Sequence, residues 1–587
     1  VPDTPDEAPG LSLADMAAAA LAFLIPVGYL TAVTAPFWTV KAVLILVAIP
    51  VGLVCLVGLL AHEHDRAPAI AGLGFLSVAL LSVVFSDNPH LAFFGGYARG
   101  TGWLFIAGLL ALWAIGRTVT EQGARVVSLA LGAAIVVNAA VCIAQHLTNL
   151  EAYSLALFDG RATGLVGNPV HVATLFAGGT FLAVSAFRQS FGWGVVLVAC
   201  AAGVQASGSR FALAGLVVAA AWGLVRGRHL RAVAMVGLLA AGAAIGTVAV
   251  GSTDGASSSS RVAQGVGDNS TKQRLYTWRS AVTAVSKKPV LGNGPGRYVT
   301  GAERYRPLEL VRSGNDSFFD DAHNIIVEYA VTTGLAGVTA LAAFALLAFR
   351  RARGPLAAFA LGAGGMLLVQ PLHVGTVPLA FLALGAAGPP VVLAWSRIRM
   401  LIGAVGTAGA VAAGGMLVAG DARLREAQLA YSPEDAASAG RLLPRWPQLP
   451  RAIAAMHVFY AESQNEPARY DRAVAANRDE VDRDRPDPRV WEDLGAILFK
   501  VGDVDGAEAA YRAAIARNPM RISATIGLAR VAVANEDFDE ARRHTERVAH
   551  LQGLDDDGRR ELLGQIDAAE ERASEDAQSA DATMGGP

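Results

Sequence analysis

The sequence predicts an all-α protein, a polytopic helical membrane domain of about thirteen spans followed by a soluble α-helical repeat domain. Three observations carry this. Of the 587 residues 53% are hydrophobic, and mean hydropathy is +0.41, which is high for a water-soluble chain. The excess is packed into residues 13–420 and stops at Asp421. Beyond that point, Trp491, Leu494, Gly495, Leu498, Ala507, Tyr511, Ala514 and Pro519 fall at the offsets of a two-helix repeat of about 34 residues.

The chain opens with a short tail, residues 1–12, acidic and Pro-rich over Val1–Gly10. It lacks the basic n-region of a cleaved signal peptide, so the first apolar run is expected to stay as a membrane helix. A bilayer core needs about 20 apolar residues per helix. Runs of that kind lie at 13–33, 38–60, 68–85, 101–119, 124–146, 169–187, 192–207, 210–226 and 231–250. They resume at 324–349, 355–373, 377–396 and 398–420. Their Gly and Ala content suits close helix packing. Cys55, Cys142 and Cys200 all fall inside these runs and read as small core residues. No Cys/His cluster has zinc spacing, so no metal or cofactor is expected. A net charge of −2 offers no electrostatic case for nucleic acid.

Sidedness follows from the arginines of the short loops. With the N-terminus in the cytoplasm, the inner loops hold Arg66, Arg117, Arg125, Arg188, Arg226, Arg228, Arg231, Arg350, Arg351, Arg353, Arg397 and Arg399. The short outer loops hold Arg99, Arg161 and Arg210 alone. That bias places the long loop 251–322, and everything after 420, outside the cytoplasmic membrane. Each outer arginine adjoins residues that break helices. Arg99 lies in Gly95-Gly96-Tyr97-Ala98-Arg99-Gly100, Arg161 precedes Gly164-Leu165-Val166-Gly167-Asn168-Pro169, and Arg210 follows Ser207-Gly208-Ser209. The plain alternative for each is an arginine that snorkels to membrane lipid headgroups.

The long loop starts with low-complexity Ser257–Ser260. Leu275, Trp278, Val282 and Val285 then recur at helical spacing, with Lys287 and Lys288 at the end, which predicts a helix lying on the membrane surface. Arg274 sits one turn before Trp278 on the same face. Residues 289–296 (Pro-Val-Leu-Gly-Asn-Gly-Pro-Gly) form a run of tight turns. They superficially resemble a nucleotide loop, but Pro295 interrupts them and no strand–helix unit surrounds them. The chain re-enters the membrane at Asp320-Asp321-Ala322-His323-Asn324. An imidazole there can move a proton near neutral pH, and an asparagine can orient it. Glu328 points to the same side of the helix as Asn324. The plain alternative is a helix start with an incidental histidine.

After Asp421 the repeat pattern is that of a tetratricopeptide repeat, with a second copy in register at Leu528, Ala529 and Ala541. Residues 433–480 are expected to supply a looser earlier helix pair, which gives a helical domain over 421–573. The end, Ser574 to Pro587, is expected to be disordered.

These landmarks together resemble the O-antigen ligase/polymerase family. His323-Asn324, then nine residues, then Gly334-Leu335-Ala336-Gly337 looks like its signature. Gly208-Ser209-Arg210 resembles an earlier motif of that family, and Arg274-Leu275 with Trp278 and the turn-rich run resembles its outer-loop entry. Arg161 with Asn168-Pro169 is also similar. The resemblance covers roughly residues 90–350, and a tetratricopeptide tail accompanies some members. It implies a metal-independent membrane glycosyltransferase of the GT-C type. Such an enzyme takes a glycan from undecaprenyl diphosphate and passes it to an acceptor hydroxyl on a glycan, lipid or protein. Carried over, Arg210 and Arg274 bind the donor pyrophosphate and His323 is the catalytic base. Asn324, Arg161, Arg99, Asn168, Glu328 and Asp321 are supporting candidates.

The chemistry of the residues agrees. A departing diphosphate gains negative charge, which guanidinium groups bind bidentately, and an acceptor hydroxyl needs a base. Asp320 and Asp321 are adjacent and cannot flank a bond as a glycosidase pair does, so they read as loop or acceptor contacts. Repeat-unit polymerisation and protein O-glycosylation remain open, since donor handling is common to all three. The repeat tail slightly favours a protein partner or acceptor. A transporter or a membrane scaffold for the repeats is more remote, because no inverted repeat of broken helices is visible.

Overall fold

The computed structural model describes residues 10–148, 150–226, 229–251, 269–314 and 318–584, so Ser257–Ser260 lies outside the described residues. Among them the chain is helical, and the one β feature is an isolated bridge between Phe158 and Arg161. It divides into two compact units. The first comprises Val1–Val266, Val290–Gly296 and His323–Ala422, and the second Gly267–Pro289, Arg297–Ala322 and Arg423–Pro587. The outer loop therefore does not stand apart. Most of it folds with the tail, and its turn-rich run folds with the apolar helices.

In the first unit each expected span but 324–349, which is split in two, coincides with one apolar helix. Among the described residues six are long and apolar enough to cross a bilayer: Thr39–Ala61, Glu63–Val84, Glu121–Leu147, Pro169–Phe187, Leu230–Gly251 and Arg397–Leu429. Shorter helices occupy the remaining places, at Leu13–Val27, Trp103–Arg117, Phe191–Ala206, Arg210–Val225, Gly334–Phe349, Gly354–Met366 and Val377–Ala386. Trp103–Arg117 is buried from Phe105 onward and packs against Thr39–Gly58 and Val377–Ala386. Small residues make that approach close: a Cβ on Gly385 would lie 2.1 Å from the Trp113 carbonyl oxygen. Arg117 is buried at the end of this helix, where it meets Asp65 at 2.8 Å and the Pro389 carbonyl at 2.7 Å. A charge so placed needs both partners.

Alternate connections of this unit interlock through bonds such as Ala162 to the Ala206 carbonyl and Lys41 to the Leu165 carbonyl. The intervening ones line a cavity of about 930 Å³ that includes Arg125, Arg351, Arg353 and Trp193. Three of the expected inner arginines, Arg125, Arg351 and Arg353, are thus brought to one cavity.

In the second unit the tail forms helix pairs, Gln448–Ser463 with Arg469–Arg483, Pro488–Lys500 with Val504–Arg517, and Ile522–Ala534 with Phe538–Gln552. The first is the earlier pair expected within 433–480. Leu494, Leu498, Ala507, Tyr511, Ala514 and Leu528 share one core. Gly495 and Gly527 leave room for the Tyr511 ring, which a Cβ would meet at 2.9 and 2.4 Å. Asp487, Asp503 and Asp537 each cap the helix that follows. A helix runs Asp556–Met584, reaching into the end expected to be disordered. Its Ala- and Glu-rich turns have high helix propensity, and Ile566 anchors it against Ala532 and Ala541.

Candidate functional site

His323 immediately precedes Asn324, the N-cap of the helix Ile325–Thr332, and is half-buried with φ +50°. A left-handed conformation costs a residue with a Cβ of order 1–2 kcal/mol, so something must hold it. Asn324 does. Its Oδ1 accepts from the Ile326 and Val327 amides at 2.9 and 3.1 Å, and its Nδ2 donates to the Leu368 carbonyl at 2.9 Å. The Ile325 amide donates to the Leu367 carbonyl at 2.8 Å. These bonds commit the Asn324 side chain to backbone, so its influence on the imidazole runs through the peptide that carries His323. Glu328 is buried and donates its amide to the Asn324 carbonyl at 2.8 Å. Its neighbour Tyr329 packs edge-on against Phe75, with centroids 5.2 Å apart.

The expected single span 324–349 is broken at Thr333, and the turn-rich run explains the break. The carbonyls of Val331 and Thr332 accept from the Asn293 and Gly294 amides at 3.0 and 2.8 Å, and Ala336 donates back to Val290 at 3.4 Å. Ser82 and Ser86 donate to the Leu291 and Asn293 carbonyls at 2.6 and 2.8 Å. Contact this close needs glycine: a Cβ on Gly334, at φ +68°, would lie 2.2 Å from the Val290 oxygen. Residues 290–296 are thus a peg that pairs with a helix break a short distance beyond His323. A nucleotide loop is not needed to explain them.

Arg210 opens its helix, half-buried, after a turn in which Gly208 has φ +62°. Ala206, at the start of that turn, accepts from the Ala162 amide at 3.0 Å, so the Arg161 loop lies against it. Gln145 secures the same loop, its Oε1 accepting from Thr163 and Gly164 at 3.0 and 2.9 Å. Asn138 accepts from Leu165 at 2.9 Å. Asn168 caps Pro169–Phe187 through the Val170 amide at 2.9 Å, a structural use of its side-chain oxygen. Arg161 and Arg210 are brought to one neighbourhood by these backbone bonds.

Arg274 lies in the second unit, half-buried on the helix Asn269–Lys287. That helix is tied down by Gln273 Nε2 to the Ser313 carbonyl at 2.7 Å and by Trp278 Nε1 to the Ala322 carbonyl at 2.8 Å. Leu275 and Val282 are exposed while Trp278 turns inward, so the face expected to lie on a membrane is divided. Asp321 is buried and Asp320 faces Arg489 at 3.6 Å, both within the second unit.

The structure adds a second cationic group that sequence reasoning passed over. Lys41 is fully buried and donates to the Leu165 carbonyl at 2.9 Å. His171 and His373 stack with centroids 3.9 Å apart. Gly375 donates its amide to His373 Nδ1 at 2.9 Å, and its missing Cβ would be 3.2 Å from Lys41 Cε. Arg99 and Lys41 both lie close enough to His373 to act on it electrostatically. Phe37 and Trp38 pack under Gly167 and Gly100 in the same corner. The signal was present: Lys41 is an ionisable residue inside an apolar span, which marks a functional candidate. Among the described residues no group of three or more His, Cys, Asp or Glu is placed to hold a metal ion, and the three cysteines are buried and free.

Comparison with known families fits this arrangement. Residues 195–342 match the family described as O-antigen ligase, a stretch containing Arg210, Arg274, His323 and Gly334. Residues 498–560 match the tetratricopeptide repeat. A search among curated proteins finds no match. The chain is therefore a multi-helix membrane protein with a segment in its apolar part and outer loop that matches the O-antigen ligase family, and a tail segment that matches the tetratricopeptide repeat.

Proposed function

We propose that this protein is a glycosyltransferase of the cytoplasmic membrane, of GT-C type, acting on the extracytoplasmic side. It transfers a glycan from undecaprenyl diphosphate to an acceptor hydroxyl. The observation that carries this reading is the ligase-family match over the segment that holds Arg210, Arg274 and His323. The gathering of Arg125, Arg351 and Arg353 at one cavity that Arg161 and Arg210 do not line supports the sidedness.

In the reaction His323 takes the acceptor hydroxyl proton as the oxygen attacks the anomeric carbon. The bond from that carbon to the diphosphate oxygen breaks, and the diphosphate leaves with the electron pair. Arg210 and Arg274 neutralise its developing charge, a role that guanidinium groups fill without a metal. Arg161 and Arg99 extend the positive surface available to the carrier.

The test is transfer from a defined polyprenyl-diphosphate glycan to acceptor by purified full-length protein. His323→Ala abolishes turnover, and Arg210→Ala and Arg274→Ala each reduce it at least tenfold. Full activity in His323→Ala rejects the base, and normal turnover in both arginine variants rejects the diphosphate clamp.

A further inference from the structure

The second unit contains an arrangement that neither family match calls for. The loop segment Phe318–Asp320 lies against the repeat helices. The guanidinium carbons of Arg489 and Arg521 are 4.7 and 4.2 Å from the Phe318 ring centroid. Arg489 is held by Asp487 at 2.6 Å and reaches Asp320 at 3.6 Å, while Glu492 braces Arg521 at 2.5 Å. Further back along the loop, Arg297 makes a two-bond pair with Asp484 at 2.8 and 2.6 Å, both side chains buried. Val311 shares a core with Ile522, Val548 and Leu551.

Two arginines on one phenyl ring, beside an aspartate that one of them also reaches, form a recognition surface for an aromatic, acidic peptide. We propose that the ligand of this surface is the chain's own loop. The repeat domain is a clamp in cis, and Arg489 and Arg521 are positioning residues that restrain the backbone leading into His323. Tethering makes this occupant hard to displace, because its effective concentration far exceeds that of a free partner. The hold extends to Ala322 through Trp278, one residue short of the histidine. This inference rests on His323 being the base.

The test is made on the loop side, so that the repeats keep their own charge pairs. In full-length Phe318→Ala, hydrogen exchange of residues 318–324 rises at least tenfold while Pro488–Lys500 and Ile522–Ala534 keep wild-type protection. Turnover falls about tenfold with donor KM unchanged, and Phe318→Trp restores both. Asp320→Asn gives a smaller change in the same direction. Unchanged loop exchange overturns the clamp. Faster exchange with wild-type turnover overturns its positioning role, as does loss of protection in the repeat helices themselves, which would mark Phe318 as mere core packing. Exchange is read without catalysis, so the clamp is judged even if His323→Ala proves active.

Discussion

Replacing Asn324 with alanine removes three hydrogen bonds, two that cap Ile325–Thr332 and one to the Leu368 carbonyl. Loss of such a cap costs about 1 kcal/mol, and the third bond contributes about 1 kcal/mol more. The sum of about 2 kcal/mol matches the cost of holding a residue such as His323 in the left-handed region. Without Asn324 that conformation is no longer favoured, and the imidazole leaves its place. At 1.4 kcal/mol per decade, turnover is expected to fall roughly 10- to 30-fold. Donor KM stays near wild type, because the loss is felt in the transition state. Steady-state transfer in nanodiscs, from a defined lipid-linked glycan, measures both. Asn324→Asp keeps the capping acceptor and loses the donor to Leu368, so it falls between. Wild-type turnover in Asn324→Ala, beside an inactive His323→Ala, refutes the argument that backbone geometry places the base.

Other outcomes follow from the same structure. Asp421 is buried and accepts from Tyr97, Thr39 and the Ala35 amide at 2.6, 2.5 and 3.3 Å; Asp421→Ala should destabilise the full-length protein by roughly 2–4 kcal/mol, and Asp421→Asn by less, read as thermal shifts in detergent. Gly334→Ala places a Cβ 2.2 Å from the Val290 oxygen at φ +68°; faster hydrogen exchange of residues 290–296 and lower turnover are expected, and unchanged exchange would show that the peg tolerates a side chain. Burial pushes Glu480 up to about 8, against Arg451 at 2.8 Å. Its unfolded form ionises near 4.5, so stability present below that value is lost as pH rises through about 8. Glu480→Gln should therefore flatten the decline in protection of Arg469–Lys500 between these values, measured by pH-corrected hydrogen exchange on the full chain.

Much of the candidate site was legible because its signals are short in sequence. His323-Asn324 before an apolar run marks a helix start, and Asn324 caps it as the residue type demands. Arg210 after Ser-Gly-Ser opens a helix for the same kind of reason. Lys41 is marked in the sequence as a charge inside an apolar span, but its partners Leu165, His373 and Gly375 are far away in the chain and only the fold names them. Asn168 looked functional and its oxygen turns out to be used as a cap. The turn-rich run could not reveal its partner, since Val331, Thr332 and Gly334 sit inside what reads as one continuous span.

Periodicity and composition determined what is local: apolar helices up to Asp421, the phase of the repeat helices after it, and the residues that start each. Each of these depends on groups within a few turns of one another, whose burial and capping preferences are written in their order. The tertiary structure alone decided that loop residues 269–289 and 297–322 fold with the repeats while 290–296 fold with the apolar helices, that His323 is held left-handed, and that Phe318 of the loop meets two repeat arginines. Those outcomes come from hydrogen bonds, buried charge pairs and ring contacts between segments far apart in the chain. No window of sequence contains both partners, and only the folded chain brings them within bonding distance.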